Sequence, residues 1–256
     1  TGDLDSQLAT AKAQGYDGVE WAMHGVCTPE AWKEMRAKHG LALIVLMGGE
    51  DARSIIDQYK QASAYEPLSL TVHTGKDSMT WDAGKALMRE LLAAEKDLPF
   101  AVGHETHRGR LLYNPWTTRA YLEEFEEMKV VADFSHFVCV CERLLEDREG
   151  DLATIMARAI HVHGRVGHEE GPQVSDPRAP EWAPHLERHF DWWTMMRKTA
   201  RARGADSFTF TPEFGPPGYM QTLPFTRQPV ADLLEVCLWM ANQARERWGD
   251  PIPGKA

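Results

Sequence analysis

The chain has 256 residues, an apolar fraction of 43% and a formal net charge of −10 at pH 7. The length matches the roughly 250 residues of a β/α barrel, and the apolar content is ample for a large hydrophobic core. The acidic balance argues against a nucleic-acid or anionic-membrane partner. We also find no secretory signal and no apolar run near the ~18 residues of a membrane span.

Strand-like and helix-like patterns alternate along the chain and are joined by short connections. This order is typical of βαβ units and a parallel sheet. The predicted strands are Asp17–Met23, Leu41–Gly48, Leu68–Thr74, Phe100–Thr106, Lys129–His136, Ala159–Gly164 and Ser207–Gly215. The predicted helices are Leu4–Gln14, Pro29–His39, Asp51–Tyr65, Trp81–Asp97, Thr117–Met128, Arg143–Ala157, Leu186–Arg203 and Val230–Trp248.

These elements predict an α/β fold, a (β/α)8 TIM barrel that lacks one strand. Because the pattern begins with a helix, we expect the first strand upstream of Thr1; an open or seven-stranded barrel is the alternative. No repeat, low-complexity segment or linker divides residues 1–256, so we predict a single barrel domain. The four cysteines show neither zinc-type nor disulfide spacing, which indicates reduced thiols in a cytoplasmic protein.

Four of the predicted strands carry a metal-type ligand at or near their C-terminal end. The candidates are Glu105, Asp133, His161 or His163, and Glu213. In a parallel β/α barrel these strand ends converge on one mouth, where the chemistry takes place. Carboxylates and imidazole in this number suit Mn²⁺, Mg²⁺, Co²⁺ or Zn²⁺ and leave positions open for substrate oxygens. The sequence therefore predicts a divalent metal ion at the mouth.

Several of these strands alternate polar and apolar residues, although strands of a parallel sheet usually read as continuous apolar runs. The alternation directs Thr71 and His73 toward the barrel axis on one strand, and His161 and His163 on another. Inward polar groups are costly unless they are paired or coordinated. For any single strand a hydrogen-bonded network without metal is the alternative, but the agreement of four strands at one end favours metal binding.

Four short motifs follow one another on these strands: GYDGVEW at Gly15–Trp21, VHTG at Val72–Gly75, ADFSH at Ala132–His136 and TPEFG at Thr211–Gly215. In this order they resemble the xylose-isomerase-like barrel superfamily, the sugar isomerases and epimerases related to tagatose 3-epimerase. The resemblance covers nearly the whole chain.

This resemblance implies a divalent metal held by Glu105, Asp133, a histidine of the AIHVHG segment and Glu213. It also implies that His136 contacts substrate rather than metal. Either histidine of AIHVHG fits the family pattern. We favour His161 as the ligand, which leaves His163 nearer the mouth for substrate.

The activity that the resemblance implies is isomerisation or epimerisation of a sugar or a related polyhydroxy carbonyl compound through an enediolate. In this hypothesis Glu105 and Glu213 remove and return the proton as general base and acid. The predicted partner is thus a small sugar-like molecule rather than nucleic acid or a membrane. The substrate contacts would come from His73, His107, His136, His163 and Arg165.

Two positions depart from the epimerase pattern: Leu111 stands where a glutamate is expected, and Arg165 lies closer to the histidines. A metal-dependent lyase or hydrolase acting on a modified sugar is therefore an alternative, as is a non-catalytic ligand-binding barrel. The apurinic endonuclease branch shares Asp133, His136 and His73, but it needs further metal ligands that we do not find, and the acidic charge disfavours DNA. The tryptophans on the amphipathic helices are expected either to pack in the core or to form a contact between subunits of a homo-oligomer.

Overall fold

The computed structural model describes residues 3–22 and 27–251. Within these residues a seven-stranded parallel sheet runs in the order β1 to β7 and curves into a nearly closed barrel, a variant of the TIM barrel. Its strands are β1 Gly18–Ala22, β2 Ala42–Gly49, β3 Ser69–Thr74, β4 Ala101–Glu105, β5 Val130–Ala132, β6 Ala159–His163 and β7 Thr209–Thr211. The α/β barrel predicted from the sequence is confirmed.

Helices connect the successive strands and cover the outside of the sheet. In the described residues they are α1 Leu4–Ala13, α2 Pro29–His39, α3 Ala52–Ser63, α4 Trp81–Glu95, α5 Pro115–Glu124, α6 Phe134–Cys141, α7 Glu149–Met156, α8 Ala183–Ala202 and α9 Leu233–Trp248. The strand expected upstream of Thr1 and the predicted strand end at Met23 lie outside the described residues.

Local signals in the sequence explain where these helices begin and end. The Thr28 hydroxyl accepts a hydrogen bond from the Ala31 N–H at 3.3 Å, Pro29 fills the first helical position of α2, and Gly40 ends the helix with φ of 62°. A hydroxyl cap, an N-terminal proline and a left-handed glycine are the preferred residues at these positions. The predicted bounds of this helix are confirmed.

The predicted strand Lys129–His136 is wrong in its second half. The strand ends at Ala132, and Asp133 caps helix α6, which the sequence analysis missed. The Asp133 carboxylate accepts a hydrogen bond from the Ser135 N–H at 3.0 Å, which turns the chain into a helix. Such capping by aspartate competes with continued strand pairing. His136 therefore lies one turn into a helix.

Two further elements are shorter than predicted. The last strand spans only Thr209–Thr211, because Pro212 has no N–H to continue the ladder, and Glu213 lies in the loop beyond it. Helix α7 begins at Glu149 rather than at Arg143, since Leu145 adopts a left-handed φ of 62° that a helix does not accommodate.

The apolar side chains pack in two clusters between the sheet and its helices. Trp192 and Trp193 of α8 are 1% and 0% exposed, so these two tryptophans belong to the core. In the part of the chain that the structure describes, no helix combines the length and apolarity that crossing a membrane requires. The core thus fixes the seven strand ends that form the mouth.

Candidate metal centre

Four acidic and histidine side chains meet at the mouth of the barrel. Glu105 ends β4, Asp133 follows β5, His163 ends β6 and Glu213 lies two residues after β7. One ligand atom from each of them lies within 4.8 Å of the others. Three of these side chains are buried, while that of Glu213 is 33% exposed. The residues are far apart in the sequence, and the parallel sheet brings them to one place.

Each of the four residues also offers a buried atom that makes no aligned hydrogen bond among the described residues, although each lies in an ion-pair contact: Glu105 Oε2, Asp133 Oδ2, His163 Nδ1 and Glu213 Oε2. His163 Nδ1 lies 2.7 Å from Glu213 Oε2 and 3.3 Å from Glu105 Oε1, but these contacts are not aligned as hydrogen bonds. Buried polar atoms without partners are rare. Convergent lone pairs of this kind are what a divalent cation needs, so the four residues fit a metal ion.

The other ring nitrogen of His163 is held by Glu20 of β1. His163 Nε2 lies 3.1 Å from each carboxylate oxygen of Glu20, which is buried inside the barrel. A carboxylate on the far side of a histidine fixes the orientation of the ring and raises its basicity. Glu20 thus directs Nδ1 of His163 toward the other three side chains.

The acceptor sites of the Glu20 carboxylate are already occupied by protein groups, so none is left for a metal ion. Besides His163, Glu20 accepts hydrogen bonds from the Thr71 hydroxyl at 2.5 Å and the Thr211 hydroxyl at 2.7 Å, and it lies 3.0 Å from His161 Nε2. A carboxylate has about four acceptor sites, and these contacts use them all. Glu20, His161 and His163 form a second group with metal-ligand spacing. We interpret Glu20 as the support of His163 rather than as a ligand.

The sequence analysis favoured His161 as the metal ligand, but the structure brings His163 to the other three candidates. His161 precedes His163 by two residues on β6, which places it roughly 6.5 Å deeper in the barrel. Both its ring nitrogens have partners, because Nδ1 lies 2.7 Å from the Thr209 hydroxyl and Nε2 faces Glu20.

We expect Glu20→Ala to destabilise the protein by about 3–5 kcal/mol, because it leaves two threonine hydroxyls and two histidines buried without their acceptor. Urea unfolding followed by circular dichroism measures the change. Glu90→Ala on the exposed face of α4 is the control and should change stability by no more than about 0.5 kcal/mol. Equal stability of the two variants would show that Glu20 does not support the barrel interior.

Arg165 lies against two of the four candidate ligands. Its Nη2 is 2.5 Å from Glu213 Oε1, and its Nε is 3.4 Å from Asp133 Oδ2. The guanidinium stacks 4.2 Å from the centre of the Tyr219 ring and is 2% exposed. Arg165, predicted to bind substrate, therefore holds both carboxylates in place and raises the positive potential around them.

The three remaining histidines predicted to contact substrate lie together beside Glu105. His73 Nε2 is 2.5 Å from Glu105 Oε2, and the His73 and His107 rings are 4.6 Å apart. The His107 ring lies 3.8 Å from that of His136, whose two nitrogens make no hydrogen bond in the described part of the chain, although Nε2 lies 3.5 Å from Asp133 Oδ2. His73, Glu105 and His107 form a third group with metal-ligand spacing.

Burial and mutual charge shift the pKa values of the group. Burial favours a raised pKa for Glu105, but the positive charge of His163 outweighs it and holds that pKa well below its usual range. Burial opposes the charge of His163, yet Glu213, Glu20 and Glu105 raise its pKa well above the usual value. For Asp133 burial outweighs Arg165, and the pKa is about 7. Without metal, the proton-binding sites are thus chiefly His163 and Asp133.

Two cavities border the group. One of about 150 Å³ is lined by side chains that include Glu20, His163 and Glu213. The other, of about 500 Å³, lies over the ends of β1, β2 and β3 and reaches His73. Both are lined by Ala22 and Leu46, so the two cavities are neighbours.

Gln173, in the loop after β6, positions the segment that carries Glu213. Its amide accepts a hydrogen bond from the Gly215 N–H at 2.7 Å and donates one to the Gly215 carbonyl at 3.2 Å. Neither Gln173 nor Glu20 is among the catalytic, metal-binding or substrate-binding residues predicted from the sequence. For Glu20 the signal exists in the alternation Val19-Glu20-Trp21, which directs the carboxylate inward.

Comparison with known proteins shows a likeness of fold. No protein-family profile matches the sequence, and no curated protein matches it either. The structure is similar to the probable 3-DHS dehydratase AsbF, involved in petrobactin synthesis, from Bacillus anthracis, with a TM-score of 0.56 and 13% identity over 86% of this chain and 90% of that one. It is also similar to an AP endonuclease of family 2 from Brucella melitensis, with a TM-score of 0.56 and 16% identity over 80% and 85% of the two chains. The likeness to xylose-isomerase-like barrels is confirmed for the fold.

Proposed function

We propose that the protein is a divalent-metal-dependent enzyme that moves a proton beside the carbonyl group of a sugar-like substrate, as isomerases and epimerases do. The convergence of four buried ligand atoms without hydrogen-bond partners at the barrel mouth carries this proposal. In it, Glu105, Asp133, His163 and Glu213 hold the metal ion, which is Mn²⁺, Mg²⁺, Co²⁺ or Zn²⁺ by the mixture of carboxylate and imidazole. A bound cation would supply a Lewis acid that polarises the substrate carbonyl.

Glu213 is the general base of the proposed reaction. It lines the smaller cavity and is the most exposed of the four side chains. Burial favours a raised pKa for Glu213, but His163 and Arg165 outweigh burial and lower it, so the carboxylate is ionised at neutral pH. Glu105 delivers a second proton to the substrate, and His73, in contact with its Oε2, supplies that proton from water in the larger cavity. Glu213 then releases the proton that it removed to solvent.

His107 and His136 orient the substrate. Burial lowers the pKa of His107 to about 4, and burial together with the neighbouring His107 lowers that of His136 well below its usual value. A neutral imidazole offers one donor and one acceptor nitrogen, which suits a hydroxyl group. These two rings would therefore bind substrate hydroxyls without adding charge to the site.

Dehydration is the second candidate reaction, because one of the structurally similar proteins is a probable dehydratase. It begins with the same removal of a proton beside the carbonyl. The resulting carbanion then expels a hydroxyl group from the adjacent carbon, and an acid protonates this group so that it leaves as water. The two reactions diverge only after the first step.

Proton exchange with solvent tests the proposal. Purified protein loaded with Mn²⁺ is incubated with ketoses and aldoses in deuterated water, and the quenched samples are examined by mass spectrometry after metal removal. We expect deuterium at the carbon beside the carbonyl. A mass loss of one water identifies the dehydratase, and the absence of exchange and of any new product with every compound contradicts the proposed function.

We also expect the affinity for Mn²⁺ to rise with pH between 6 and 8. A metal ion needs ionised Asp133 and neutral His163, whereas their raised pKa values keep protons on both groups at low pH. Each proton released corresponds to about a tenfold gain in affinity per pH unit. Calorimetry in buffers of different ionisation enthalpy counts the released protons, and an affinity independent of pH would contradict this ligand assignment.

A further inference from the structure

The cavity of about 500 Å³ lies at the C-terminal ends of β1, β2 and β3 and has no assigned ligand so far. Its volume is in the range of small-molecule sites. His73 joins it to the metal group, because His73 lines the cavity and contacts Glu105 Oε2 at 2.5 Å. One side chain, that of His73, thus separates this cavity from the metal group, and a substrate that spans both would pass along it.

Arg110 is the one lysine or arginine among the described residues that line this cavity. Its side chain has neither an ion pair nor a hydrogen bond within the described residues. Its backbone is fixed, since the Arg110 N–H donates to the His107 carbonyl at 3.1 Å in the turn after β4. A partly buried guanidinium without a protein partner is available to a ligand, and its planar pair of donors matches a carboxylate.

The two acidic residues that line the cavity are already compensated. Glu50 Oε1 lies 2.8 Å from Lys76 Nζ. Asp51 caps helix α3, where its Oδ1 accepts a hydrogen bond from the Ser54 N–H at 2.9 Å and the helix dipole favours negative charge. Neither carboxylate is paired with Arg110, so neither neutralises the guanidinium charge, which is available to a ligand.

We propose that the substrate is a sugar acid, whose carbonyl end lies at the metal group and whose carboxylate is bound by Arg110 in the larger cavity. This inference rests on the proposed function and narrows it to one substrate class. Arg110 is the residue that determines this specificity, through a charge-assisted pair of hydrogen bonds.

Matched uronic acids and aldoses test the inference, because glucuronate and glucose, or galacturonate and galactose, differ only in a carboxylate at the sixth carbon. Calorimetry measures their binding to the Mn²⁺-loaded protein. We expect at least one uronate to bind about tenfold or more tightly than its aldose, and Arg110→Gln to abolish this preference while retaining metal. Arg201→Gln, at an exposed position on α8, is the matched control and should retain it.

Three outcomes would each overturn the inference: equal affinity for acid and aldose, no binding of either uronate, or a preference for the acid that survives Arg110→Gln. The solvent-exchange experiment separates this result from a failure of the proposed function. If neutral sugars exchange protons and acids are not preferred, the proton-transfer proposal stands and the proposal of a sugar-acid substrate is rejected. A preference for acids that depends on Arg110, without exchange or dehydration, removes the proposed reaction and retains the binding site.

Discussion

Replacement of His163 by glutamine is expected to weaken Mn²⁺ binding by more than about 100-fold, beyond the usual cost of losing a group that only supports a ligand. The reason is geometric: His163 Nδ1 is one of the four convergent atoms, and its other nitrogen is fixed by Glu20. Competition with a metal-sensitive chelating dye measures the dissociation constant.

His161→Gln is the matched control for this prediction, since it makes the same chemical change two residues earlier on the same strand. His161 touches Glu20 and Thr209 rather than the other candidate ligands, so its loss should weaken Mn²⁺ binding by no more than about tenfold. If His161→Gln had the larger effect, the assignment of the ligand to His163 would be incorrect.

Glu213→Gln is expected to reduce solvent proton exchange by about 10²–10⁴-fold, the range that a general base contributes. The amide keeps the size of the side chain but cannot accept a proton at neutral pH. Because the substitution removes the charged partner of the buried Arg165, a thermal unfolding curve must show that the variant is folded at the temperature of the exchange experiment. The exchange experiment in deuterated water measures the effect at saturating Mn²⁺, which compensates for weaker metal binding.

The control for this change is Glu126→Gln at an exposed position without an ion pair in the described chain. It should exchange protons at the wild-type rate. Wild-type exchange by Glu213→Gln with metal bound would remove Glu213 from the reaction and leave Glu105 and His73 as the groups to test.

The sequence predicted the barrel because each strand and helix carries its own local signal. Glu105, Asp133 and Glu213 became candidates for the same reason, as each lies at or just after a strand. A single sequence does not show whether His161 or His163 lies near the other candidate ligands. A strand has a period of two, so both histidines face inward, and only the heights of the neighbouring strands decide which reaches the carboxylates.

Two further features differ from the prediction for different reasons, one local and one tertiary. The segment from Lys129 to His136 is apolar enough for a strand, but the Asp133 carboxylate caps a helix there. Glu20 lies far from the other site residues in the sequence, and its contacts with β3, β6 and β7 exist only once the sheet has curved. The inward direction of Glu20 follows from the alternation on its strand, but its partners do not, because they lie on other strands.

Metal content is the measurement that tests the central claim most directly. Purified protein is incubated with excess Mn²⁺, separated from free ion by gel filtration and subjected to elemental analysis, alongside the double variant Asp133→Asn with His163→Gln. Four convergent ligands predict roughly one ion per wild-type chain and almost none in the variant. Equal metal content in the two proteins would contradict a metal centre at Glu105, Asp133, His163 and Glu213.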